Sequence, residues 1–131
     1  MQFSTRTTYG LRALNCLANH YGKGSLSLAH ISKTEKISQK YLEIIFAALR
    51  KAKLVKSSKG ALGGYELTKR PSQISIFEVV KALEKINVFY CINEKGKVLC
   101  SNSCNCGVSL VLVKVQKAII QSLKKIKLSE L

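Results

Sequence analysis

Apolar residues Leu11, Leu14, Leu17, Ala18 and Tyr21 recur at the spacing of one helical face, which predicts a helix over 4–21 that Gly22 and Gly24 end. A shorter helix follows in SLSLAHISKTEK, with Ser27 as its N-cap. In KISQKYLEIIFAALRKAKLV, Ser38 caps a third helix whose inward stripe is Leu42, Ile45, Phe46 and Leu49. Gln39, Lys40, Glu43 and Arg50 lie off that stripe. Two helices joined by a short connection around Lys36 and Ile37, the second with a polar face outward, fit a helix-turn-helix.

The next run, LVKSSKGALGGYELTK, has two short strand-like segments around Gly60, Gly63 and Gly64, and so predicts a hairpin. Lys56, Lys59 and Lys69 put charge on or beside it, which favours a DNA-binding wing over a plain sheet-closing hairpin. Ser75 and Glu78 match a capping box and predict a helix over 76–85, with Val79, Val80 and Leu83 facing inward. Residues 91–107 are loop-like. From 108 to 127 the chain is apolar around most of a helix, broken by one polar stripe of Lys114, Lys117, Gln121 and Lys124. Such a helix needs cover on more than one side, and a small domain covers one. The expectation is a homodimer built around it, with a central helix of a monomer as the other reading. Its β-branched content leaves a buried strand open as well.

The expected fold is therefore mainly α with a small β-hairpin wing. It comprises a winged helix-turn-helix DNA-binding unit over 1–85, a cysteine-rich effector loop over 86–107, and a long C-terminal dimerisation helix with a terminal turn over 108–131.

Charge points to the partner. Twenty-two Lys and Arg stand against seven Glu and no Asp, a net +15 on 131 residues, which implies a polyanion. Residues 1–70 carry +10 of it. The opening segment MQFSTRTTYG lacks the apolar run of a signal peptide, and the apolar C-terminal run is interrupted by Lys114, Lys117 and Gln121. The expectation is a cytoplasmic protein with no membrane span. Thiols stay reduced there, so the segment CSNSCNCG, with Cys91 upstream, favours metal or redox chemistry over structural disulfides. Four thiolates suit an iron–sulfur cluster or a structural zinc, and thiol-only sensing stays open. Cys16 lies near the apolar face of the first helix and reads as core, and His20 and His30 read as surface or cap residues.

The run ISQKYLEIIFAALRKAKLVKSSKGALGGYELTK resembles the winged-helix core of the IscR/NsrR/CymR regulators, the Rrf-two family. TTYGLRALNCLA resembles that family's first helix, and VQKAIIQSLKKIKLSEL its dimerisation helix and terminal turn. The resemblance implies a dimeric bacterial transcription regulator, in many members gated by an iron–sulfur cluster. By position it implies that Ser38, Gln39, Lys40, Tyr41 and Glu43 enter the major groove and that Lys59 stands at the wing position usually held by Arg. Lys53 stands where the family usually has Gly after the recognition helix.

The resemblance also implies a ligand triad of Cys91, Cys100 and Cys106. The branch that completes the site with a His has Ser109 at that position here, and the branch that uses an acidic residue of the first helix has Thr8. Cys104 is the extra thiol expected to fill the vacancy. The cofactor expected is an iron–sulfur cluster, 2Fe–2S ahead of 4Fe–4S, with zinc as the alternative. The partners expected are double-stranded DNA carrying two half-sites and a second copy of the chain. A cluster-free thiol- or zinc-containing DNA-binding regulator is the alternative function. A thiol oxidoreductase using Cys104 and Cys106 is the second, and the absence of a neighbouring His and of a thioredoxin-like order of elements counts against it.

Overall fold

The computed structural model describes residues 2–60, 63–100 and 106–131. Helix α1 spans Thr5–Asn19, α2 Leu28–Glu35 and α3 Gln39–Lys51. Strands β1 (Val55–Ser58) and β2 (Gly64–Leu67) pair antiparallel, with Val55 opposite Leu67 and Ser58 opposite Gly64. A 3-10 turn at Pro71–Gln73 leads to α4 (Ile76–Leu83). Beyond the cysteine segment, α5 runs Gly107–Lys125, and a 3-10 turn at Leu128–Glu130 ends the chain. The order is that of a helix-turn-helix followed by a hairpin wing, and the last long element is a helix rather than a strand.

Serines start the first four helices. Ser4, Ser27, Ser38 and Ser75 each accept a backbone N–H from the first turn of α1, α2, α3 and α4. This satisfies donors that have no partner inside the helix. At Ser75 the capping box is complete, because Glu78 also accepts the Ser75 N–H at 2.8 Å.

The core is where the stripes predict it. Leu14 and Leu17 of α1, Ile31 of α2, the Leu42–Ile45–Phe46–Leu49 stripe of α3, Val55 and Leu67 of the hairpin, and Val79 and Leu83 of α4 form one buried cluster. Gly10 lets α4 come close, since a Cβ there would sit 2.2 Å from Leu83 Cδ1. Gly64 does the same for the wing, where a Cβ would lie 2.1 Å from the Leu26 carbonyl oxygen. That approach allows Leu26 and Tyr65 to exchange two backbone hydrogen bonds, of 2.9 and 2.7 Å. The hairpin is thereby fastened to the segment before α2.

Two ends differ from expectation. Helix α1 stops at Asn19, and Tyr21 lies exposed beyond it. Helix α4 stops at Leu83, not Lys85: Glu84 is extended, and its carboxylate accepts the Ser4 N–H at 3.2 Å. The first turn of α1 has no acidic residue of its own, so Glu84 supplies the negative charge that a helix N-terminus favours.

A second, smaller cluster of Ile76, Val80, Ile86 and Leu123, with Ile119 and Ile120 beside it, joins α4 to α5. The C-terminal end of α5 is clipped down. Ile76 N–H donates to Ile126 O at 3.0 Å and Leu128 N–H to Ile74 O at 2.8 Å, with Leu128 itself buried. Only Ser109, Gln116 and Leu123 of α5 are buried, a seam repeating every seven residues. The stripe of Lys114, Lys117, Gln121 and Lys124 is exposed as expected. So is an apolar face of Val108 (62%), Val111 (59%) and Val115 (40%), while Leu110, 70% exposed, lies in line with the lysine stripe.

Candidate nucleic-acid interface and cysteine loop

The connection into α3 turns on Lys36, which adopts left-handed backbone (φ 55°) and caps α2, while the Ser32 hydroxyl bonds the Ile37 carbonyl. The chain then re-enters helix at Ser38, whose hydroxyl accepts the Tyr41 N–H at 3.2 Å. With the apolar stripe buried, Gln39, Lys40, Glu43 and Arg50 are exposed on the outside of α3. Ile44, 52% exposed, lies among them. Sequence reasoning passed over it, although it falls one position off the Leu42–Ile45–Phe46–Leu49 stripe.

Tyr41 is only half exposed. Its ring meets Tyr9 of α1 edge-on, centroids 5.9 Å apart, and the Arg12 guanidinium stands 5.6 Å from the centre of that Tyr9 ring. Arg12 in turn pairs with Glu35 at 2.9 Å. Tyr41 therefore carries part of the α1–α3 contact. Ser38 is occupied by its cap, while Gln39, Lys40 and Glu43 remain open to a ligand.

On the wing, Lys56 pairs across the strands with Glu66 at 3.0 Å, and Lys69 pairs with Glu78 at 3.3 Å. Lys40, Arg50, Lys51 and Lys59 make no ion pair among the described residues. Lys59 is exposed just past β1, and the tip residues 61–62 lie outside the described residues. Unpaired positive charge thus stands on α3 and at Lys59 of the wing, as it also does on α5, where Lys114, Lys117, Lys124 and Lys125 make no ion pair among the described residues.

Cys16 proves separate from the other thiols. Its Sγ–H donates to Glu35 Oε1 at 3.1 Å. Burial, that hydrogen bond and the Glu35 charge push its pKa up to about 12 against the opposing pull of Arg12. It is a neutral thiol, as the core reading expected.

Cys91, Cys100 and Cys106 are half-buried. Cys91 and Leu99 lie opposite each other in a small hairpin, with Leu99 N–H donating to Cys91 O at 2.7 Å and Ile92 bridged to Val98. Cys106 is the N-cap of α5, without a side-chain cap bond. Cys104, the expected fourth ligand, lies outside the described residues. Among the described residues, no three His, Cys, Asp or Glu side chains come close enough to hold one metal ion. The hydroxyls at the two positions where relatives differ are engaged locally: Ser109 Oγ donates to Cys106 O at 2.7 Å and Thr8 Oγ1 to Ser4 O at 3.2 Å. In donor chemistry the cysteines fit an iron–sulfur group, since soft, half-buried thiols are what such a group takes.

Sequence reasoning also left Gln116 without a role. It is 1% exposed, and its Nε2 donates to Asn93 O at 2.7 Å. The signal was present in outline: Gln116 lies on the apolar side of α5, opposite the lysine stripe.

Among the described residues, no helix is long and apolar enough to cross a membrane. Over residues 3–131 the chain matches the Rrf2 family model, described as an iron-dependent transcriptional regulator. It is 42% identical over 84 residues to the transcriptional regulator CymR of Bacillus subtilis, a match covering 64% of this chain and 61% of that protein, less than two thirds of its length. It is 34% identical over 132 residues to IscR of Sodalis glossinidius, covering 100% of this chain and 78% of the relative. Its fold is similar to the solved structure of T. potens IscR, with a TM-score of 0.78 at 35% identity over 98% of this chain and 84% of that one. These relatives are transcriptional regulators and not enzymes, which removes the support for an oxidoreductase. The family match along nearly the whole chain, joined to the helix-turn-helix and wing, makes this chain a member of the Rrf2 family of transcriptional regulators.

Proposed function

We propose that this chain is a dimeric regulator that binds double-stranded DNA at an operator of two half-sites. In this reading, residues 1–85 form the reading head, 86–107 the effector loop and 108–131 the dimerisation element. The observation that carries it is a helix-turn-helix frame with a hairpin wing that presents Gln39, Lys40 and Arg50 of α3 and Lys59 of the wing exposed, the three cations among them outside any ion pair of the described residues. Gln39, Lys40 and Glu43 reach base edges from the first turns of α3. Lys59 meets the backbone or the minor groove beside it, as a point charge without the planar fork of Arg. Ser38 orients the helix start through its cap, and Tyr41 braces it against Tyr9. Positive charge supplies affinity by displacing counterions from phosphates, so binding weakens steeply with salt.

The exposed apolar face Val108–Val111–Val115 supports the homodimer. The two reading heads are then held at a fixed separation by paired α5 helices. Cys91, Cys100, Cys104 and Cys106 would hold an iron–sulfur cluster in the effector loop; four thiolates complete a 2Fe–2S or a 4Fe–4S group. When bound, such a group supplies one-electron redox chemistry. The chain's own contribution is a set of thiols at the foot of α5 and a hairpin packed on that helix. A cluster-free regulator with zinc or bare thiols is the second reading, since four thiols suit zinc as well as a cluster.

The test of the DNA reading is a gel-shift titration on selected operator and random duplex at several salt concentrations. Gln39→Ala lowers the preference for operator, whereas Lys59→Ala weakens both duplexes to a similar extent and flattens the salt dependence. An unchanged preference in Gln39→Ala and Lys40→Ala would reject α3 as the reading helix. For the cofactor, iron, sulfide and the visible spectrum of protein purified without oxygen decide. Stoichiometric zinc with no iron selects the second reading.

A further inference from the structure

We propose that Gln116 is a positioning residue: its carboxamide ties the cysteine-bearing hairpin to the middle of α5, so that a change in the hairpin's shape is carried to that helix. The hairpin is organised around Asn93. Asn93 Oδ1 accepts the N–H groups of Lys95 and Lys97 at 3.0 and 2.8 Å. Its own N–H donates to Lys97 O at 2.9 Å, and its carbonyl accepts from Gly96 N at 2.9 Å. Two residues before Asn93 is Cys91, and Cys100 follows directly on Leu99, which is bonded to Cys91 O.

Against this unit α5 presents one buried polar side chain. Gln116 Nε2 donates to the Asn93 carbonyl at 2.7 Å. Only the NH2 end of the amide can donate to a carbonyl, so the orientation of the side chain follows from its partner. A Cβ on Gly96, which has φ 80°, would meet Val113 Cγ1 at 3.9 Å, so the hairpin tip rests on α5 close to the Gln116 bond.

The other end of the amide marks the bond as more than packing. Gln116 Oε1 is buried with no hydrogen-bond partner among the described residues. An apolar side chain would fill the same place in the seam between Ser109 and Leu123 without burying an unsatisfied acceptor. What it could not do is grip a backbone carbonyl of the hairpin. The bond joins the turn that sets the spacing of Cys91 and Cys100 to the helix whose outer face is apolar and exposed. It needs neither DNA nor a cofactor to exist, so it stands or falls independently of the regulator reading.

The experiment is hydrogen exchange on the full chain, paired with alkylation of Cys91 and Cys16 after chelator treatment. Each is read as a ratio to the unmodified protein at the same pH. In Gln116→Leu, the Lys95, Lys97 and Leu99 amides lose protection and Cys91 alkylates at least threefold faster, while Cys16 and the amides of α1–α4 do not change. Gln116→Glu adds a readout that a purely structural role would not move. At pH 5 a buried carboxyl is protonated and can donate to Asn93 O; at pH 8 it ionises and cannot. The Glu variant therefore resembles the unmodified protein at pH 5 and Gln116→Leu at pH 8, and it decides the matter if the Leu variant does not fold. Unchanged hairpin protection in Gln116→Leu would overturn the proposal, as would an equal loss across α1–α4 or a Glu variant that behaves alike at both pH values.

Discussion

The reading head and α5 are built to different degrees of completeness. In the head, every helix starts on a serine that caps it, the inward stripe of α3 is buried in one cluster with Leu14 and Leu17 of α1 and Val79 and Leu83 of α4, and Ile76 and Val80 of α4 are buried against α5. Helix α5 starts on Cys106 without a side-chain cap bond, buries three of its residues, and leaves apolar side chains open along its N-terminal half. Its C-terminal end is held by Ile126 and Leu128, and its middle by Gln116. A local pattern that closes on itself makes a scaffold; one that does not close asks for a partner or a ligand. The head therefore closes on itself within one subunit, whereas α5 leaves an apolar face open to a partner.

The largest expected effect tests the open face. Val111→Asp puts a charge into the apolar patch of the proposed dimer, which is unfavourable unless the charge is paired. Sedimentation shows association weakened at least a hundredfold, about 3 kcal/mol, while thermal unfolding of the head is unaffected. Association equal to that of the unmodified protein would remove the outer face of α5 as the interface. Ile119 would be a poorer choice, because it packs in the subunit's own second cluster.

Next in size is a break in the closed region. Gly64→Ala drives a methyl into the Leu26 carbonyl, and backbone cannot move aside as a flexible side chain can. The Leu26–Tyr65 exchange is lost and the wing detaches, at a cost of about 2 kcal/mol. Chemical denaturation measures the loss, and hydrogen exchange localises it to β2. A stability within error of the unmodified protein would show that the wing is not fastened through Leu26.

A smaller effect lies at the capping box of α4. Ser75→Ala removes a cap and costs about 1 kcal/mol. The pH dependence belongs to Glu78. Burial pushes its carboxyl up, but the Ser75 backbone N–H and hydroxyl, together with Lys69, outweigh this and hold its pKa below the ordinary 4.5. A carboxylate lowered in the folded state adds stability that is fully present above its unfolded pKa and is lost as pH falls through the folded value. Glu78→Gln is accordingly less stable near neutrality and shows a shallower loss of stability below pH 4.5. An acid-unfolding curve parallel to that of the unmodified protein would assign the sensitivity elsewhere.

The same contrast explains what could be read from the chain alone. Capping serines, the stripe of α3 and the glycines of the hairpin are local signals, and each predicted element formed. Ends were misplaced where a distant group decided them, as when Glu84 left α4 to meet Ser4. The outside of α3 was legible because burial of one face leaves the other exposed, yet Ile44 escaped notice because periodicity alone does not separate it from Ile45. The ligand set was the least legible, since four cysteines define a chemistry without bringing their sulfurs together. Gln116 stands out in the sequence as a polar residue on the apolar side of α5, but its partner, the Asn93 carbonyl 23 residues away, does not.

The smallest expected effect sharpens the comparison from inside the head, with the opposite sign. Helix α3 ends in a Schellman arrangement: Leu54 N–H bonds Leu49 O at 3.0 Å and Lys53 N–H bonds Arg50 O at 2.9 Å. Lys53 between them is left-handed at φ 59°, the position that the family resemblance assigns to glycine. A side chain there costs roughly 1–2 kcal/mol in Cβ crowding, and glycine avoids it while losing some freedom on folding. Lys53→Gly is therefore expected to stabilise the chain by about 1 kcal/mol, raising the denaturation midpoint without changing the slope. It also removes one positive charge beside the reading helix, so affinity for random duplex falls slightly with a shallower salt dependence. A variant less stable than the parent would mean that the Lys53 side chain contributes more to the end of α3 than its backbone strain takes away.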